Sequence, residues 1–452
     1  MFSGGTLKIA MPCAPFLAFL SNEKRFYDKI AKFLCQGGHK LSLSGNKSDT
    51  NMAILMRLTV LVFGLSFLAV AATAQDTSGP GFGGPDAVEN QIESDFGETW
   101  DTWKQELKDD LGLVLSVDYT AVWLTANETF DDKNGAGGIA RLFGTFDLFN
   151  IEDGTLVYKF EHRHAYGSVS PFDFSLGQIG YVGLQEPAFN DTDFRTQNLY
   201  WRQRMNNGRS VLIAGILDAT DYLDAFALAS PWLHFMNFAF STGSATIGLP
   251  NDAAVGVAYG TMLTDSFYLI AGITDTNGDP SDPFKGFDNF FSDNEYFTSV
   301  EIGYTSSQER IIFDNYHLTF WHKDRQDAAN VPSGWGVNFS ASRYLNDNLM
   351  PFLRGGYTED AGSLLEASIS GGMGYQTEAF DGLLGAAVNW GRPNEDTFGP
   401  DLDDQLALEV FYRASLGKRS AVTVDVQYIQ DPAINPFESS IWMFNLRGRV
   451  AF

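Results

Sequence analysis

The sequence predicts an all-β fold: a transmembrane antiparallel β-barrel of about 16 strands, preceded by a short N-terminal amphipathic helix. Three observations support this prediction. Apolar and polar residues alternate through most of the chain after residue 111, the polar faces of these segments carry full charges, and short turns alternate with long acidic loops. Because successive side chains of a strand point to opposite faces, such strands lie between an apolar and a polar medium.

The composition agrees with a barrel and argues against two other classes. The 452-residue chain has 14% aromatic and 19% charged residues, and its mean hydropathy is −0.12. After residue 74 there is no run of 18 apolar residues, so transmembrane helices are not predicted. The same part of the chain carries 22 Lys and Arg against 53 Asp and Glu, a net charge of −31. This acidity argues against a nucleic acid as partner, because the phosphate backbone requires a basic surface.

A targeting segment is predicted at residues 52–74. Residues 52–57 are a short stretch with one arginine, residues 58–70 are apolar, and Ala72-Thr73-Ala74 has the small-x-small pattern of a cleavage site. We therefore expect a signal peptide that is cleaved after export. Residues 1–51 are interpreted as an upstream extension that is not part of the native protein, and a long pre-region is the alternative.

Two further parts follow the predicted cleavage site. Residues 75–110 form an N-terminal periplasmic segment, in which Phe96, Trp100, Trp103 and Leu107 recur at the spacing of a short helix. Residues 111–452 form the barrel. Both cysteines, Cys13 and Cys35, precede the cleavage site, so no disulfide is expected in the exported chain.

The last eleven residues show the strand pattern most clearly. Trp442, Phe444, Leu446 and Val450 fall on one face, while Asn445, Arg447 and Arg449 fall on the other. A sandwich core could not bury so many charged side chains without partners, whereas a water-filled lumen solvates them. Closure of the barrel leaves no unpaired strand edge in the hydrocarbon. The final Phe452 resembles the signal that the barrel-assembly machinery of bacterial outer membranes reads, so this machinery is an expected partner.

Several stretches resemble the carbohydrate-selective porins, the glucose-porin type of the bacterial outer membrane, over roughly residues 95–452. The motifs are short, and they are Asn198–Arg204 followed by Gly208 and Ile213–Asp218, Leu233–Phe240, Leu318–Asp324, Phe352–Arg354, Leu408–Arg413, Val424–Pro432, and the Arg447 strand that ends at Phe452. The resemblance implies a 16-stranded porin of the cell outer membrane through which sugars, glucose especially, diffuse into the periplasm. It also implies contact with outer-membrane lipid and lipopolysaccharide.

One feature departs from that family. Its constriction is described as positively charged, whereas this chain is strongly acidic. The alternative is a non-selective or cation-preferring general diffusion porin of the same fold. The oligomeric state stays open between monomer and trimer.

Nine side chains are candidates for contact with a sugar, because they lie on the polar faces of predicted strands. Sugars suit aromatic rings combined with polar groups that hydrogen-bond in pairs. The candidates are Arg202, Arg204, Glu301, Trp321, Lys323, Arg354, Glu409, Arg413 and Arg447. For each charged residue the alternative is a solvated wall charge or an ion pair across the lumen. For Trp321 the alternatives are a sugar platform or a contact with a loop folded into the barrel.

Neither a metal site, nor a cofactor, nor an enzyme is predicted. His162 and His164 share the apolar face of one strand, and two imidazoles alone are a weak metal site. Outside the first 51 residues the only other histidines are His234, His317 and His322, and their spacing suggests no catalytic triad. We interpret His317 as part of the lumen wall.

Overall fold

The computed structural model describes residues 98–148, 151–187, 190–417 and 419–452. The predicted signal peptide at 52–74, the extension at 1–51 and most of the segment at 75–110 lie outside the described residues. The division of the chain before residue 98 therefore stays a prediction.

Sixteen antiparallel strands form one closed barrel, which confirms the predicted fold class. Each strand pairs with its neighbours in sequence, and β1 pairs with β16 to close the barrel. The strands are β1 (Leu113–Ala126), β2 (Asn134–Phe146), β3 (Gly154–Ala165), β4 (Asp193–Met205), β5 (Ser210–Leu217), β6 (Ala254–Met262), β7 (Phe267–Asp275), β8 (Tyr296–Thr305), β9 (Asp314–Lys323), β10 (Gly334–Arg343), β11 (Leu349–Glu359), β12 (Leu365–Thr377), β13 (Gly382–Pro393), β14 (Gln405–Ser415), β15 (Ser420–Gln430) and β16 (Ser440–Ala451).

The two ends of the barrel differ in their connections. At the end where β1 begins, here called the turn end, the connections are short, such as 206–209 and 263–266. At the opposite end, the loop end, most connections are longer. The acidic loops that the alternation predicts at 126–138, 275–296 and 391–404 are observed as the connections 127–133, 276–295 and 394–404, because β2 begins at Asn134 and β13 continues to Pro393. The two longest loop-end connections, 166–192 and 218–253, are not apparent from the alternation.

A helix precedes the first strand of the barrel, and the last residue is paired with that strand. Helix α1 (Glu98–Leu111) confirms the predicted N-terminal helix, and it ends at Gly112, whose positive φ of 69° favours glycine. Arg419, in the turn before β15, donates a hydrogen bond of 3.0 Å to Asp101 and so ties α1 to the turn end. The last residue, Phe452, exchanges backbone hydrogen bonds with Val117 of β1.

The remaining helices are short and lie in the loop-end connections. They are α2 (Pro171–Phe174), which a π-helix at Ser175–Ile179 extends, α3 (Lys285–Ser292) and α4 (Glu395–Phe398). Single 3₁₀ turns occur at Ala219–Asp221, Phe238–Phe240, Thr242–Ala245, Gln308–Arg310 and Ala379–Asp381. Within the described ranges, no helix has both the length and the apolar character needed to cross a membrane.

Alternation of side chains along each strand separates an apolar outer face from a polar inner face. In β9, Tyr316, Leu318 and Phe320 point outward and are exposed, whereas the inward His317 and Thr319 are buried. Exposed apolar residues on an outer face suit contact with lipid. The inner face is buried because two long connections occupy the lumen.

These connections are named by their residues. The first inner loop (166–187) packs Phe174, Ile179 and Tyr181 against the inner face of β1, β2 and β14 to β16. The second inner loop (218–253) packs a larger apolar cluster, including Phe226 and Phe235, against β5 to β9, β11, β13 and β14. The apolar cores of this barrel therefore lie inside the lumen rather than between sheets.

Candidate functional site: the lumen and its inner loops

One group of polar contacts in the lumen surrounds Asp224 of the second inner loop. Its carboxylate is bound by His317 Nε2 of β9 at 2.7 Å and by the guanidinium of Arg354 on β11. Its backbone N–H donates to Glu301 Oε2 of β8 at 2.8 Å. The Arg354 guanidinium also lies 4.0 Å from the centre of the Phe226 ring. Burial raises the pKa of Asp224, but the charge of Arg354 and the bond from His317 outweigh this effect and hold that pKa below its usual range.

The far side of the same loop is held by β14 and β16. Glu409 accepts hydrogen bonds from the backbone N–H groups of Met236 at 2.6 Å and Asn237 at 2.9 Å. Arg447 donates to the carbonyl oxygens of Pro231 at 2.7 Å and His234 at 2.6 Å. Because irregular backbone buried in a barrel has no sheet partners, these side chains satisfy groups that would otherwise be costly to bury.

An aromatic contact adds a third attachment. The Trp232 ring lies 3.5 Å from the guanidinium carbon of Arg141 on β2. Arg141 is itself paired with Asp118 of β1, which also accepts a bond of 2.6 Å from Arg449 of β16. A cation stacked on an indole ring and removed from water is stabilising. The loop tip is therefore fixed against the seam at which the barrel closes.

The two inner loops are joined to each other. The Phe238 N–H donates to the Leu184 carbonyl at 3.0 Å, and the Glu186 N–H donates to the Met236 carbonyl at 2.5 Å. The side chain of Gln185 exchanges hydrogen bonds with that of Gln427 on β15. The inner loops thus form one connected body that narrows the lumen.

Six of the nine predicted side chains belong to this attachment. Arg354, Glu301, Glu409 and Arg447 bind the second inner loop as described, and Lys323 donates to the Leu249 carbonyl at 3.2 Å. The sixth, Trp321, points inward as predicted but is 3% exposed. Its Nε1 donates to Asn338, whose side chain donates in turn to the Gly243 carbonyl of the loop. This geometry matches the loop contact that was one of the two alternatives for Trp321.

The other three predicted residues lie near the turn end of the barrel. Arg202 and Arg204 are on the last turn-end positions of β4, and Arg413 occupies the equivalent part of β14. Arg204 is exposed, while Arg202 and Arg413 are half-buried. The structure therefore separates the nine residues into an attachment group and a turn-end group. Their contact with a sugar stays a prediction.

A third group of charges lies where β3 and β4 meet the two ends of the second inner loop. Arg195 Nη2 lies 2.6 Å from Asp252 Oδ2, Arg163 Nη2 lies 2.7 Å from Glu161 Oε2, and Lys159 Nζ lies 3.3 Å from Asp221 Oδ1. With Asp218, which accepts from Gln197 at 3.2 Å, these residues are called the paired-charge wall. The exposure of its side chains ranges from 2% for Glu161 to 39% for Asp252.

The alternation alone does not distinguish this wall from other strands. Lys159, Glu161 and Arg163 alternate with apolar neighbours, so their inward direction follows from the sequence. Their partners Asp221 and Asp252 lie at the ends of a connection whose path the sequence does not show. The sequence does contain one indication of the buried loop. Residues 226–240 are largely apolar but do not alternate with a period of two, which is the pattern expected of an irregular segment buried inside a lumen.

No metal site that includes a histidine is found among the described residues. Among these residues there is no group of three His, Cys, Asp or Glu side chains placed to hold a metal ion. His164 points outward and contacts the Tyr119 hydroxyl at 2.9 Å. His317 bonds Asp224 and Asn315 and is 4% exposed, which agrees with its interpretation as part of the wall.

Glu186 gives the lumen a charge that depends on pH. This residue belongs to the first inner loop, and burial raises the pKa of its carboxyl to about 8, against the opposing effects of Ser241 and Arg447. The carboxyl is therefore neutral at pH 6 and negative at pH 9. We expect the cation-to-anion permeability ratio, measured as a reversal potential in a salt gradient, to rise by about twofold over this interval. The Glu186→Gln variant should show a smaller rise, and an equal rise in both proteins would contradict the assignment.

A closed barrel of 16 antiparallel strands, with inner loops that narrow its lumen, is the fold of the porin class of barrels. Among solved structures the chain is similar to OprB of Pseudomonas putida at high pH, with a TM-score of 0.63 and 16% identity over 78% of this chain and 97% of that chain. The low-pH structure of the same protein gives a TM-score of 0.49 and 12% identity over 80% and 99%. The channel DcaP of Acinetobacter baumannii gives 0.47 and 10% over 75% and 97%. At this identity the first similarity establishes the fold. No family model matches the chain, and no curated protein matches its sequence.

Proposed function

We propose that the protein is an outer-membrane porin that lets small sugars such as glucose diffuse passively into the periplasm. The single observation that supports this function best is the paired-charge wall beside a narrowed lumen. A barrel with an apolar outer face suits the outer membrane, where the loop end would face outward and the turn end the periplasm. Export by the predicted signal peptide, recognition of Phe452 by the assembly machinery and contact with lipopolysaccharide belong to the same proposal.

The wall suits a neutral polar solute because its charges are largely compensated. Three cationic side chains, those of Lys159, Arg163 and Arg195, face four carboxylates within one surface. Such a surface offers both donors and acceptors to hydroxyl groups, while its net field on an ion is small. Passage also requires that binding stay weak, and donors already engaged in ion pairs bind a further group weakly.

A second candidate is the general diffusion porin that prefers cations. Asp252 is the most accessible charge of the wall at 39%, and the chain as a whole is acidic. Negative charge at the mouth raises the local concentration of cations without defining the narrowest part of the lumen. The two candidates differ in whether glucose passes faster than other uncharged solutes of its size.

Liposome swelling with the Gln75–Phe452 chain separates these candidates. We expect faster swelling with glucose than with a neutral amino acid of similar size, and slower swelling with a disaccharide. The Lys159→Met variant should lower the glucose rate about threefold, since it removes one charged donor from the wall. Asp221 keeps a partner in this variant, because Asn198 donates to it at 2.5 Å.

The matched control is Arg209→Met. Arg209 is an exposed cation in a turn-end connection, paired with Asp265 at 2.9 Å, and lies away from the wall. Its substitution should leave the glucose rate unchanged. Rates that follow solute size alone, in both variants and in the parent protein, would reject the sugar-selective wall and favour the general porin.

A further inference from the structure

Helix α3, in the connection between β7 and β8, packs on the outside of the barrel. Ile216 of β5 and Val255 of β6 are paired in register and share the outward face with Val257, which is 40% exposed. Ile216 and Val255 are nevertheless only 1% and 6% exposed, because they form a buried cluster with Phe290 of α3. Two wall residues that would otherwise face the membrane are thus covered by this helix.

The helix is fixed in this position by close packing and hydrogen bonds. A Cβ atom at Gly286 would lie 2.8 Å from Cγ2 of Val255, so the helix backbone rests directly on the wall. The Tyr296 hydroxyl of β8 donates to the Phe290 carbonyl at 2.8 Å, and the two rings lie 5.1 Å apart. Asn289 Nδ2 donates to the Asn277 carbonyl at 3.1 Å. Such packing orients the opposite face of α3 away from the barrel.

That opposite face is a row of phenylalanines. Phe284, immediately before α3, and Phe287 and Phe291 within it are 65%, 41% and 78% exposed. Their spacing of three and four residues places them on one side of a helix. Contiguous exposed aromatic groups mark a contact surface, since water does not favour them.

The barrel wall is shortest beneath this helix. β5 has 8 residues and β6 and β7 have 9 each, whereas the adjacent β4 has 13. Eight residues of a strand tilted by about 40° span about 20 Å along the membrane normal, against an apolar band of about 25 Å. The strands alone therefore leave part of the band uncovered at the loop end, where α3 lies.

We propose that the row formed by Phe284, Phe287 and Phe291 inserts into the acyl chains of the outer leaflet and completes the apolar band above β5 to β7. This inference rests on the proposed outer-membrane location. Helices of this kind lie in the plane of the interface with one apolar side in the lipid. Even counted on both of two facing copies, these three side chains offer less area than the roughly 1,000 Å² that a specific protein interface requires, so lipid is the occupant rather than a second copy of the chain.

Spin-label accessibility in proteoliposomes tests the proposal. The label is placed at Phe291→Cys in the full chain carrying Cys13→Ser and Cys35→Ser, so that residue 291 holds the single cysteine. Val257→Cys is the lipid control, and Asp327→Cys, whose side chain is 79% exposed in the connection between β9 and β10, is the water control. Collision with oxygen reports lipid, and collision with a water-soluble nickel chelate reports solvent. We expect the ratio of oxygen to nickel accessibility at 291 to be severalfold above that at 327 and close to that at 257.

Three other results would contradict the proposal, each in a different way. A label at 291 that behaves like the label at 327 would overturn the insertion of the row. Spin–spin broadening at 291 that disappears on dilution with unlabelled protein would show a second copy on this face and also overturn it. A label at 257 that is exposed to nickel would reject the membrane-spanning barrel itself, and this inference with it.

Discussion

Substitution of Arg354 by methionine is expected to raise the single-channel conductance severalfold. Arg354 is 1% exposed and binds the carboxylate and carbonyl of Asp224, the carbonyl of Ser241 and the Phe226 ring. Removal of one member of a buried charge pair costs about 3–5 kcal/mol, because the other charge stays buried without its partner. The second inner loop should therefore leave the wall of β8 to β11 and widen the lumen. Conductance in planar bilayers measures the effect.

The control for this variant is Arg325→Met. Arg325 also pairs with an aspartate, Asp327 at 2.8 Å, but both side chains are largely exposed and the pair contributes at most about 1 kcal/mol. Its conductance should equal that of the parent protein. If Arg354→Met also conducts like the parent while its barrel remains folded by heat-modifiability on gels, the attachment role of Arg354 is wrong.

The Trp232→Ala variant is expected to have a comparable effect on the opposite wall. Trp232 is 7% exposed and stacks on Arg141 at the closing seam. Truncation of a buried aromatic side chain to alanine costs about 3–5 kcal/mol, from lost packing and from the cavity that remains. We expect a lower temperature for loss of the heat-modifiable form and current fluctuations in the open channel as the loop tip moves.

Trp442→Ala provides the comparison. Trp442 is on β16 near the same seam, but it points outward and is 45% exposed. Its loss should leave the fluctuations unchanged, because it does not contact the inner loops. A Trp232→Phe variant should fall between the parent and Trp232→Ala, since the smaller ring still covers the Arg141 guanidinium. Equal current fluctuations in the Trp232→Ala and Trp442→Ala variants would show that Trp232 does not restrain the loop.

The barrel is predictable from the sequence because its rule is local. Successive residues of β16 alternate between outward and inward positions. The apolar Leu446 and the charged Arg447 therefore indicate which face points outward without any information from the rest of the chain. The number of strands follows from counting such segments. The helix at Glu98–Leu111 is predictable for the same reason, with a period near four in place of two.

The lumen is less predictable because its contacts join distant parts of the chain. Arg354 and Glu409 are correctly placed on inward faces, yet their partners, Asp224 and the backbone at 236–237, lie in a connection without periodicity. The β3–β4 register also shifts between Lys159 and Phe160, so Arg195 faces inward together with Asn198, although strict alternation along β4 would place the two on opposite faces. The inward direction of a residue can be inferred from sequence, but its partner requires the fold.

The position of Arg447 has a consequence for the order of assembly. This side chain is on β16, the final strand, and it binds carbonyl groups at residues 231 and 234, which follow β5. During synthesis the second inner loop is therefore made long before Arg447, the residue that binds its tip. This attachment forms only when the last strand joins the first, so an intermediate halted before that step would lack the contact that holds the loop tip to β16.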